Sequence, residues 1–339
     1  MEKDESGQKS FTTVEPIKIA ELHRHHDTSH TPESILRVSQ ALDIEPFKSM
    51  NIGEIRRMVQ SPKGVDFNTW YEYLKKVRLA YISPKAVAEL TRDVILDAAE
   101  EGIDLLELRV SLLSTVDAIL AHQTGRNFWE VARETIENII QIIEETRSRI
   151  QTDLIMSITC ANKNLPQIDD YGKLLLDYAQ YIIGIDLTNE RDNPPSRYRE
   201  VIEHLRGAIK FLTVHCMETQ GPERGWDVLT LNPDRIGHGI RAIEDCALMD
   251  AIKEHHIPLE ICPLSNMMTG VATPKTHPFK TFDDAGLTLA ICADGLNDGT
   301  TLADNYRFVQ ETFGYSNEDM DRFKRNAWEH AFRNKNNRQ

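Results

Sequence analysis

Short apolar segments alternate along the chain with longer amphipathic segments. Several of the apolar segments are hydrophobic at nearly every position, which is typical of strands in a parallel sheet covered on both faces. The longer segments repeat their apolar residues at helical spacing. We interpret eight segments as strands: Ile17–His25, Ile103–Ser111, Leu154–Asn162, Tyr181–Thr188, Phe211–Glu218, Arg235–Gly239, Pro258–Ser265 and Leu287–Asp294.

Strict alternation of eight strands with helices predicts an α/β fold, the (β/α)8 TIM-type barrel. The chain of 339 residues is long enough for this barrel with some residues to spare. Most of the excess lies between the first two strands, from Thr31 to Glu101, where we expect extra helices over the barrel mouth. One of these helices is predicted at Pro84–Glu101, with Ser83 as its cap.

The chain has no internal repeat and no Gly/Ser-rich linker, so residues 11–339 are expected to form one domain. The first ten residues, MEKDESGQKS, are mostly polar and do not resemble a signal peptide. We expect residues 1–10 to be a flexible tail.

The composition narrows the classes of partner and compartment. The formal net charge of −14 argues against nucleic acid as a bulk partner, because phosphates attract a basic surface. It still permits a small anionic ligand held by a few local cations. Five scattered cysteines indicate a reduced protein, and no apolar segment approaches the length of a membrane span. We therefore expect a cytoplasmic protein that does not bind membranes.

Metal-binding side chains recur where the predicted strands end. His23 and His25 end the first strand, and their two-residue spacing directs both imidazoles to one face. His215 and Asp294 lie at the ends of the fifth and eighth strands, the end of such barrels that carries catalytic groups. One histidine at a strand end is usually an ordinary polar residue. Four consistent positions favour an N3O metal site suited to zinc over a solvated turn rich in histidine.

Six motifs in a fixed order make the sequence resemble the adenosine deaminase family of zinc aminohydrolases. Each motif alone is weak evidence, and their common order over nearly the whole chain makes the resemblance specific. They are ELHRHHD at Glu21–Asp27, GIDL at Gly184–Leu187, VHCME at Val214–Glu218, RIGHG at Arg235–Gly239, ICPLSNMMTG at Ile261–Gly270 and LAICAD ending at Asp294.

The resemblance implies hydrolytic deamination of an adenine nucleoside or nucleotide, with an inosine-type product and ammonia. It makes Glu218 the proton shuttle to purine N1 and His238 the group that orients and deprotonates the attacking water. Zinc lowers the pKa of its water to about 7, and a proton on N1 makes addition at C6 feasible. One zinc ion per chain would be bound by His23, His25, His215 and Asp294.

The sequence departs from the family pattern at two places in the base pocket. The family usually has two consecutive aspartates after the eighth strand, and here the second is Gly295, with Asn297 and Asp298 as candidates to replace it. The family's DLAG glycine is also absent, since Thr188 and Asn189 occupy that loop. We expect Thr188, Asn189 and Gly295 to contact the substrate with altered specificity, because an unpaired buried base edge costs about 1–3 kcal/mol.

The sequence leaves two alternatives for the 5′ group of the substrate, a hydroxyl or a phosphate. Asp27 lies where the family binds the ribose 5′-hydroxyl, and its carboxylate would repel a phosphate. Thr28, where the family commonly has glycine, offers a donor with its neighbours, and several cations lie near strand-end loops. A deaminase of a 5′-nucleotide such as AMP or dAMP, or of a modified adenine, is therefore the alternative. The neighbours are His26, Ser29 and His30, and the cations are Arg191, Arg197, Arg241 and Lys275. His26 and His30 are expected behind the ligands or at the surface.

Two further functions compete with a purine deaminase. Another metal hydrolase on this barrel would often need a carboxylated lysine at the fourth strand end, and GIDLTN has no lysine. A catalytically silent relative that serves as a binding partner is suggested by Gly295, although the predicted ligands and Glu218 are all present. We expect a small-molecule purine nucleoside or nucleotide as partner. The sequence identifies no protein partner and is compatible with an oligomer.

Overall fold

Eight parallel strands form the centre of the protein. The structure, a computed structural model, describes residues 16–296 and 299–336, and the predicted tail at residues 1–10 lies outside them. The strands are β1 (Ala20–His25), β2 (Leu105–Val110), β3 (Gln151–Thr159), β4 (Ile182–Thr188), β5 (Phe211–Cys216), β6 (Arg235–His238), β7 (Leu259–Ile261) and β8 (Leu289–Ile291).

The strands follow one another around a barrel in the order β1 to β8, and each neighbouring pair is parallel. The barrel closes where β1 meets the segment after β8, through an isolated bridge between Arg24 and Asp294. The His25 N–H donates to the Asp294 carbonyl at 2.8 Å, and the Asp294 N–H donates to the His23 carbonyl at 2.8 Å. We call this junction the β1–β8 seam. The predicted (β/α)8 barrel is confirmed.

Helices connect the strands on the outside of the barrel. Of the described residues, none lies in a helix long and apolar enough to cross a membrane. The α-helices are α1 (Pro32–Leu42), α2 (Ile52–Val59), α3 (Phe67–Val77), α4 (Pro84–Glu100), α5 (Leu112–His122), α6 (Phe128–Thr146), α7 (Ile168–Asp177), α8 (Arg199–Leu205), α9 (Pro222–Leu229), α10 (Cys246–Glu254), α11 (Pro263–Met268), α12 (Phe279–Asp284), α13 (Leu302–Phe313), α14 (Asn317–His330) and α15 (Phe332–Asn336). Short 3-10 helices span Phe47–Ser49, Arg78–Ala80, Asn162–Gln167, Ala179–Tyr181, Pro195–Tyr198 and Ile240–Glu244.

The excess length between β1 and β2 forms four helices, α1 to α4, as predicted. Helix α4 begins at Pro84, and the Ser83 hydroxyl accepts a hydrogen bond from the Ala86 N–H at 3.1 Å, so the predicted cap is present. Helix α3 begins after Asp66, whose carboxylate accepts two N–H groups of its first turn. These caps stabilise helix starts that the barrel itself does not support.

Seven of the eight strands are shorter than the sequence predicted, among them β5, β7 and β8, which end early at their carboxyl side. The apolar segments run on to Glu218, Ser265 and Asp294, whereas the strands end at Cys216, Ile261 and Ile291. The chain leaves the extended conformation because Met217 and Asp294 take positive φ angles of 57° and 70°, and Pro263 starts α11. A buried turn is as apolar as a strand, so hydrophobicity alone does not mark where the strand ends.

Candidate functional site

Four side chains converge at the carboxyl ends of β1, β5 and β8. The Nε2 atom of His215 lies 2.9 Å from Nε2 of His23 and 2.9 Å from Nε2 of His25. Asp294 Oδ1 lies 3.5 Å from His25 Nε2 and 3.8 Å from His23 Nε2. The structure therefore brings together the four predicted ligands, with one donor atom from each within 4.8 Å of the others.

Carboxylates behind two of these histidines direct their lone pairs towards the cluster. His23 Nδ1 donates to Glu260 at 2.8 Å, and His215 Nδ1 donates to Asp186 at 2.8 Å. Neutral imidazoles that carry their proton on Nδ1 present an unprotonated Nε2. Two such nitrogens at 2.9 Å do not hydrogen-bond to each other, whereas a metal ion between them satisfies both. Ligand atoms around tetrahedral zinc lie about 3.3 Å apart, so the donor set fits such an ion.

Burial favours the neutral, metal-binding form of the β1 histidines. It lowers the pKa of His23 well below its usual value and the pKa of His25 to about 4. Burial also opposes protonation of His215, but the Asp186 carboxylate outweighs it and raises that pKa.

A charged layer inside the barrel supports the ligands from below. Glu260 on β7 accepts hydrogen bonds from His23, from Arg109 at 2.5 Å and from Arg235 at 2.6 Å. Arg109 also lies 3.3 Å from Asp186, which links the carboxylates behind His23 and His215. These side chains are fully buried, and each charge has a partner of opposite sign, as burial of charge requires.

Asp294 lies just beyond β8 in the seam, with its carboxylate oriented by Ser265. The Ser265 hydroxyl donates to Oδ2 at 2.5 Å and leaves Oδ1 towards the histidines. Burial opposes ionisation of Asp294, but His238 and His25 lower its pKa, so it is an anion at neutral pH. Together with the three imidazoles, this carboxylate makes a set of donors that suits a divalent cation.

Glu218 follows β5 on a tight turn that is held by a carboxylate from the β4 loop. Glu190 accepts the N–H groups of four successive residues, Met217 to Gln220, at 2.6, 3.0, 3.0 and 3.0 Å. The turn contains Met217 at a φ of 57°, a conformation that costs a non-glycine residue about 1–2 kcal/mol. The hydrogen bonds to Glu190 thus offset the strain of this turn, and the turn places Glu218 beside the four candidate metal ligands.

Glu218 lies between the four candidate metal ligands and His238. Its Oε2 atom is 3.8 Å from His238 Nε2, and Oε1 accepts a hydrogen bond from Thr269 at 3.4 Å. Burial raises the pKa of Glu218, and Asp294 adds to the increase, while His238 opposes it. A carboxyl group whose pKa is raised in this position is better suited to donate a proton to a bound ligand.

A cavity of about 420 Å³ opens above the cluster. Helix α3 forms one wall with the side chains of one helical face, Phe67, Trp70, Tyr71 and Leu74. The floor contains His25, His215, Glu218, His238 and Asp294. The combination of an apolar wall with a few convergent polar groups is typical of a small-molecule site.

Three of the predicted substrate-binding residues line this cavity: Asp27, Thr188 and Asn189. Asn189 has a φ of 60°, which asparagine tolerates better than most residues, so it adopts a backbone that glycine would also allow. Asp27 is paired with Arg78, whose Nη2 lies 2.5 Å from its carboxylate. Burial opposes ionisation of Asp27, but Arg78 lowers its pKa and compensates its charge.

Gly295 packs against Thr28. Among the described residues, Thr28 lines the cavity and Gly295 does not. A Cβ atom at Gly295 would lie 2.2 Å from the Thr28 hydroxyl and 2.7 Å from the Thr28 carbonyl oxygen. Thr28 therefore fills the space that a side chain at position 295 would take, and Thr28 presents a polar group to the cavity instead. Asn297 and Asp298, the predicted substitutes, lie outside the described residues.

Only some of the predicted cations lie at the cavity, and the two additional histidines lie elsewhere. Among the four cations, Arg191 lines the cavity, over the Phe67 ring, whereas Arg197 binds Asn193 and Arg241 binds Glu244. Lys275 is exposed. His26 and His30 are buried, so a surface position is wrong for both. His26 binds Thr91 and Tyr81, and His30 binds Tyr81 at 2.6 Å.

Sequence reasoning missed the residues that support this site. The available signal was a charged residue within an apolar strand, since both faces of these strands are buried and a charge there needs a partner. Glu190 lies in a loop and Asn266 in the short helix α11, so neither gave such a signal. The missed residues are Arg109, Asp186, Glu190, Arg235, Glu260, Ser265, Asn266 and His277, together with Arg78 at the cavity.

Comparison with known proteins agrees with this geometry. The family model described as adenosine deaminase matches residues 18–339. Adenosine deaminase of Escherichia coli O157:H7 is 30% identical over 329 residues, which cover 94% of this chain and 94% of that protein. Two solved structures share the fold. Adenine deaminase from Arthrobacter aurescens has a TM-score of 0.77 at 22% identity and covers 94% of each chain. The N6-methyl-AMP deaminase from Arabidopsis thaliana has a TM-score of 0.76 at 23% identity, covering 93% of this chain and 92% of that one. The chain therefore belongs to the adenosine deaminase family and is a hydrolytic deaminase.

Proposed function

We propose that this protein removes the 6-amino group of an adenine nucleoside or nucleotide in a zinc-dependent hydrolysis. The observation that carries the proposal is the position of Glu218, a carboxyl group at the cavity floor with a raised pKa, beside a cluster of three histidines and Asp294. This arrangement suits addition of water to an aromatic carbon whose neighbouring nitrogen must be protonated.

Zinc bound by His23, His25, His215 and Asp294 would lower the pKa of a water molecule to about 7 and so supply a nucleophile at neutral pH. The protein's own groups perform the proton transfers. As oxygen adds to C6, the C6–N1 π electrons move to N1, and Glu218 delivers its proton there. Glu218, which is then ionised, passes one proton of the added water to the amino group, and the amino group leaves as ammonia. The second proton of that water restores Glu218, and a carbonyl remains at C6.

The barrel geometry indicates how the base lies. Glu218 follows β5 and Thr28 follows β1, and these two strands lie opposite each other in a barrel of eight. A purine with C6 at the metal and N1 at Glu218 directs its N7 edge towards Thr28. The apolar face of α3 covers the ring and excludes water, which strengthens the electrostatic interactions in the site.

A 5′-nucleotide is the second candidate substrate, and the Arg78–Asp27 pair favours it. Asp27 alone would repel a phosphate, but Arg78 at 2.5 Å compensates its charge, and Arg191 and Lys163 line the same cavity. Arg78→Gln should raise the KM for AMP at least tenfold more than the KM for adenosine. Arg126→Gln, which removes an exposed cation paired with Glu134, is the matched control.

The test of the proposed function is ammonia release from zinc-loaded protein. The panel contains adenosine, deoxyadenosine, their 5′-monophosphates, the N6-methyl forms and free adenine. We expect turnover of at least one compound and a loss of about 10²–10⁴-fold in Glu218→Gln with zinc content unchanged. Equal turnover in Glu218→Gln would contradict its role. Absence of turnover across the panel would favour a silent relative that only binds purines.

A further inference from the structure

A chain of hydrogen bonds leads from the cavity floor to the backbone of α12. His238 Nδ1 lies 3.2 Å from the side-chain amide nitrogen of Asn266, and Asn266 Oδ1 lies 3.3 Å from His277 Nε2. The Phe279 N–H donates to His277 Nδ1 at 3.2 Å. The three side chains are buried, with at most 5% of their surface exposed, so water does not compete for these contacts.

The direction of every bond in this chain follows from its last member. A backbone N–H can only donate, so His277 Nδ1 is an unprotonated acceptor. Burial lowers the pKa of His277 to about 4, so the neutral ring carries its one proton on Nε2. That N–H requires an acceptor, which places the Asn266 oxygen towards His277 and the Asn266 NH2 group towards His238. His238 Nδ1 then accepts, and its own proton resides on Nε2.

The protonated Nε2 of His238 faces the reaction site. It lies 3.8 Å from a Glu218 oxygen and 4.0 Å from Asp294 Oδ2. His238 also has a φ of 60°, which turns its ring from the end of β6 into the cavity. A ring with hydrogen on this nitrogen has no lone pair there with which to take a proton from water.

We propose that Asn266 and His277 are positioning residues that hold His238 with its proton on Nε2, so that His238 donates a hydrogen bond to the attacking oxygen. This inference rests on the proposed function and reverses the role that the family resemblance implied for His238. The proton that the nucleophile loses goes to a facing carboxylate, either to Glu218 after it has protonated N1 or to Asp294. The backbone of α12 thereby fixes the state of a catalytic side chain that it does not touch.

The test is the tautomer of His238 in the full-length zinc-loaded protein, read by nitrogen NMR of ¹⁵N-histidine-labelled samples. The signals of His238 are assigned by their loss in His238→Gln. We expect a protonated Nε2 in the unmodified protein. In Asn266→Asp, the carboxylate accepts from both histidines, so the proton of His238 moves to Nδ1. We then expect kcat to fall about 100-fold with little change in KM, as for loss of one preorganised donor.

Two further variants separate positioning from stability. Asn305→Asp introduces a carboxylate at another buried asparagine, which binds Leu264 and Thr301, and it should leave the His238 tautomer unchanged. His277→Leu removes the donor that orients Asn266, so both tautomers of His238 should appear. This variant also keeps the proposal testable if Asn266→Asp does not fold.

The NMR measurement does not depend on turnover. A protonated Nδ1 in the unmodified protein, or an unchanged tautomer in both Asn266→Asp and His277→Leu, would overturn the inference. A protein with Nε2–H on His238 that deaminates none of the panel compounds would retain the positioning of His238 and refute the proposed function.

Discussion

Glu190→Gln tests whether the turn that carries Glu218 is held by charge. Glu190 accepts four backbone N–H groups and is 4% exposed, so its carboxylate pairs them almost without water. Glutamine keeps the shape but has one oxygen, and its NH2 group faces an N–H that it cannot accept. Hydrogen bonds to a charged group contribute about 1.5–3 kcal/mol each, and an unpaired buried donor costs about 1–3 kcal/mol.

Since glutamine still accepts part of these bonds, we expect the turn to lose about 2–4 kcal/mol of stability. That loss corresponds to an increase of roughly 30- to 1,000-fold in the opening equilibrium of the turn. The positive φ of Met217 favours this opening, because the strained backbone relaxes once the clamp is lost. A displacement of about 1 Å at Glu218 would reduce kcat by about 10²-fold.

Hydrogen exchange on the native zinc-loaded protein measures the opening directly at the amides of residues 217–220, beside kcat for ammonia release. Asp192→Asn is the matched control, because this exposed carboxylate lies in the same loop and lines the same cavity. The reasoning is refuted if Glu190→Gln changes exchange of those amides less than threefold relative to Asp192→Asn. Faster exchange with unchanged kcat would show that Glu190 holds the turn but that the turn does not control the catalytic position of Glu218.

Three other changes have defined outcomes. Gly295→Asp should lower the free energy of unfolding by about 1–3 kcal/mol, since its Cβ would meet Thr28 at 2.2 Å, and thermal unfolding measures this. Gly237→Ala should reduce zinc affinity, measured by competition with a chelator, because its Cβ would lie 2.8 Å from the His23 ring. Burial, with nearby acidic side chains, raises the pKa of Asp97 to about 6. The folded state therefore holds this proton to higher pH than the unfolded state, and its stability falls as the pH rises from about 4 to 6. After a reduction for partial exposure, Asp97→Asn should be about 1–2 kcal/mol more stable than the unmodified protein at pH 7 and equal to it at pH 4.

Each of these outcomes has a control. Thr28→Gly should recover part of the loss in Gly295→Asp, because the hydroxyl is removed while the carbonyl at 2.7 Å remains, and an equal loss in both backgrounds would contradict the contact. Gly207→Ala, at a glycine with its nearest neighbour at 3.6 Å, should keep normal zinc affinity. Parallel pH curves for Asp97→Asn and the unmodified protein would show that Asp97 does not titrate in this range.

The barrel and the group of four candidate metal ligands were predictable from the sequence because both depend on local patterns. A strand buried on both faces has an apolar sequence, and a ligand at its end interrupts that sequence with a polar residue. His23, His25, His215 and Asp294 each stand at such an interruption, and strand order alone brings them together.

The support of Glu218 and the position of the His238 proton depend on contacts between residues far apart in the sequence, which no local pattern contains. The Glu190 clamp joins two loops, and the direction of the His238 proton depends on Phe279, which follows it by more than a helix and a strand. Gly295 was interpreted from the missing carboxylate alone. Thr28, almost the whole chain away, fills the space beside Gly295, and only the folded contact reveals this.

The β1–β8 seam has a consequence for synthesis of the protein on the ribosome. His23 and His25 emerge with the first strand, whereas Asp294 emerges after the last, so the ligand set is complete only when nearly the whole chain has been made. Until then the growing sheet has two open edges, β1 and the newest strand, which are templates for pairing with other chains. A message cut before β8 would therefore yield a product that carries all three histidine ligands, without Asp294, in an aggregation-prone, unclosed sheet. Metal loading is accordingly expected as a late step that follows closure of the barrel.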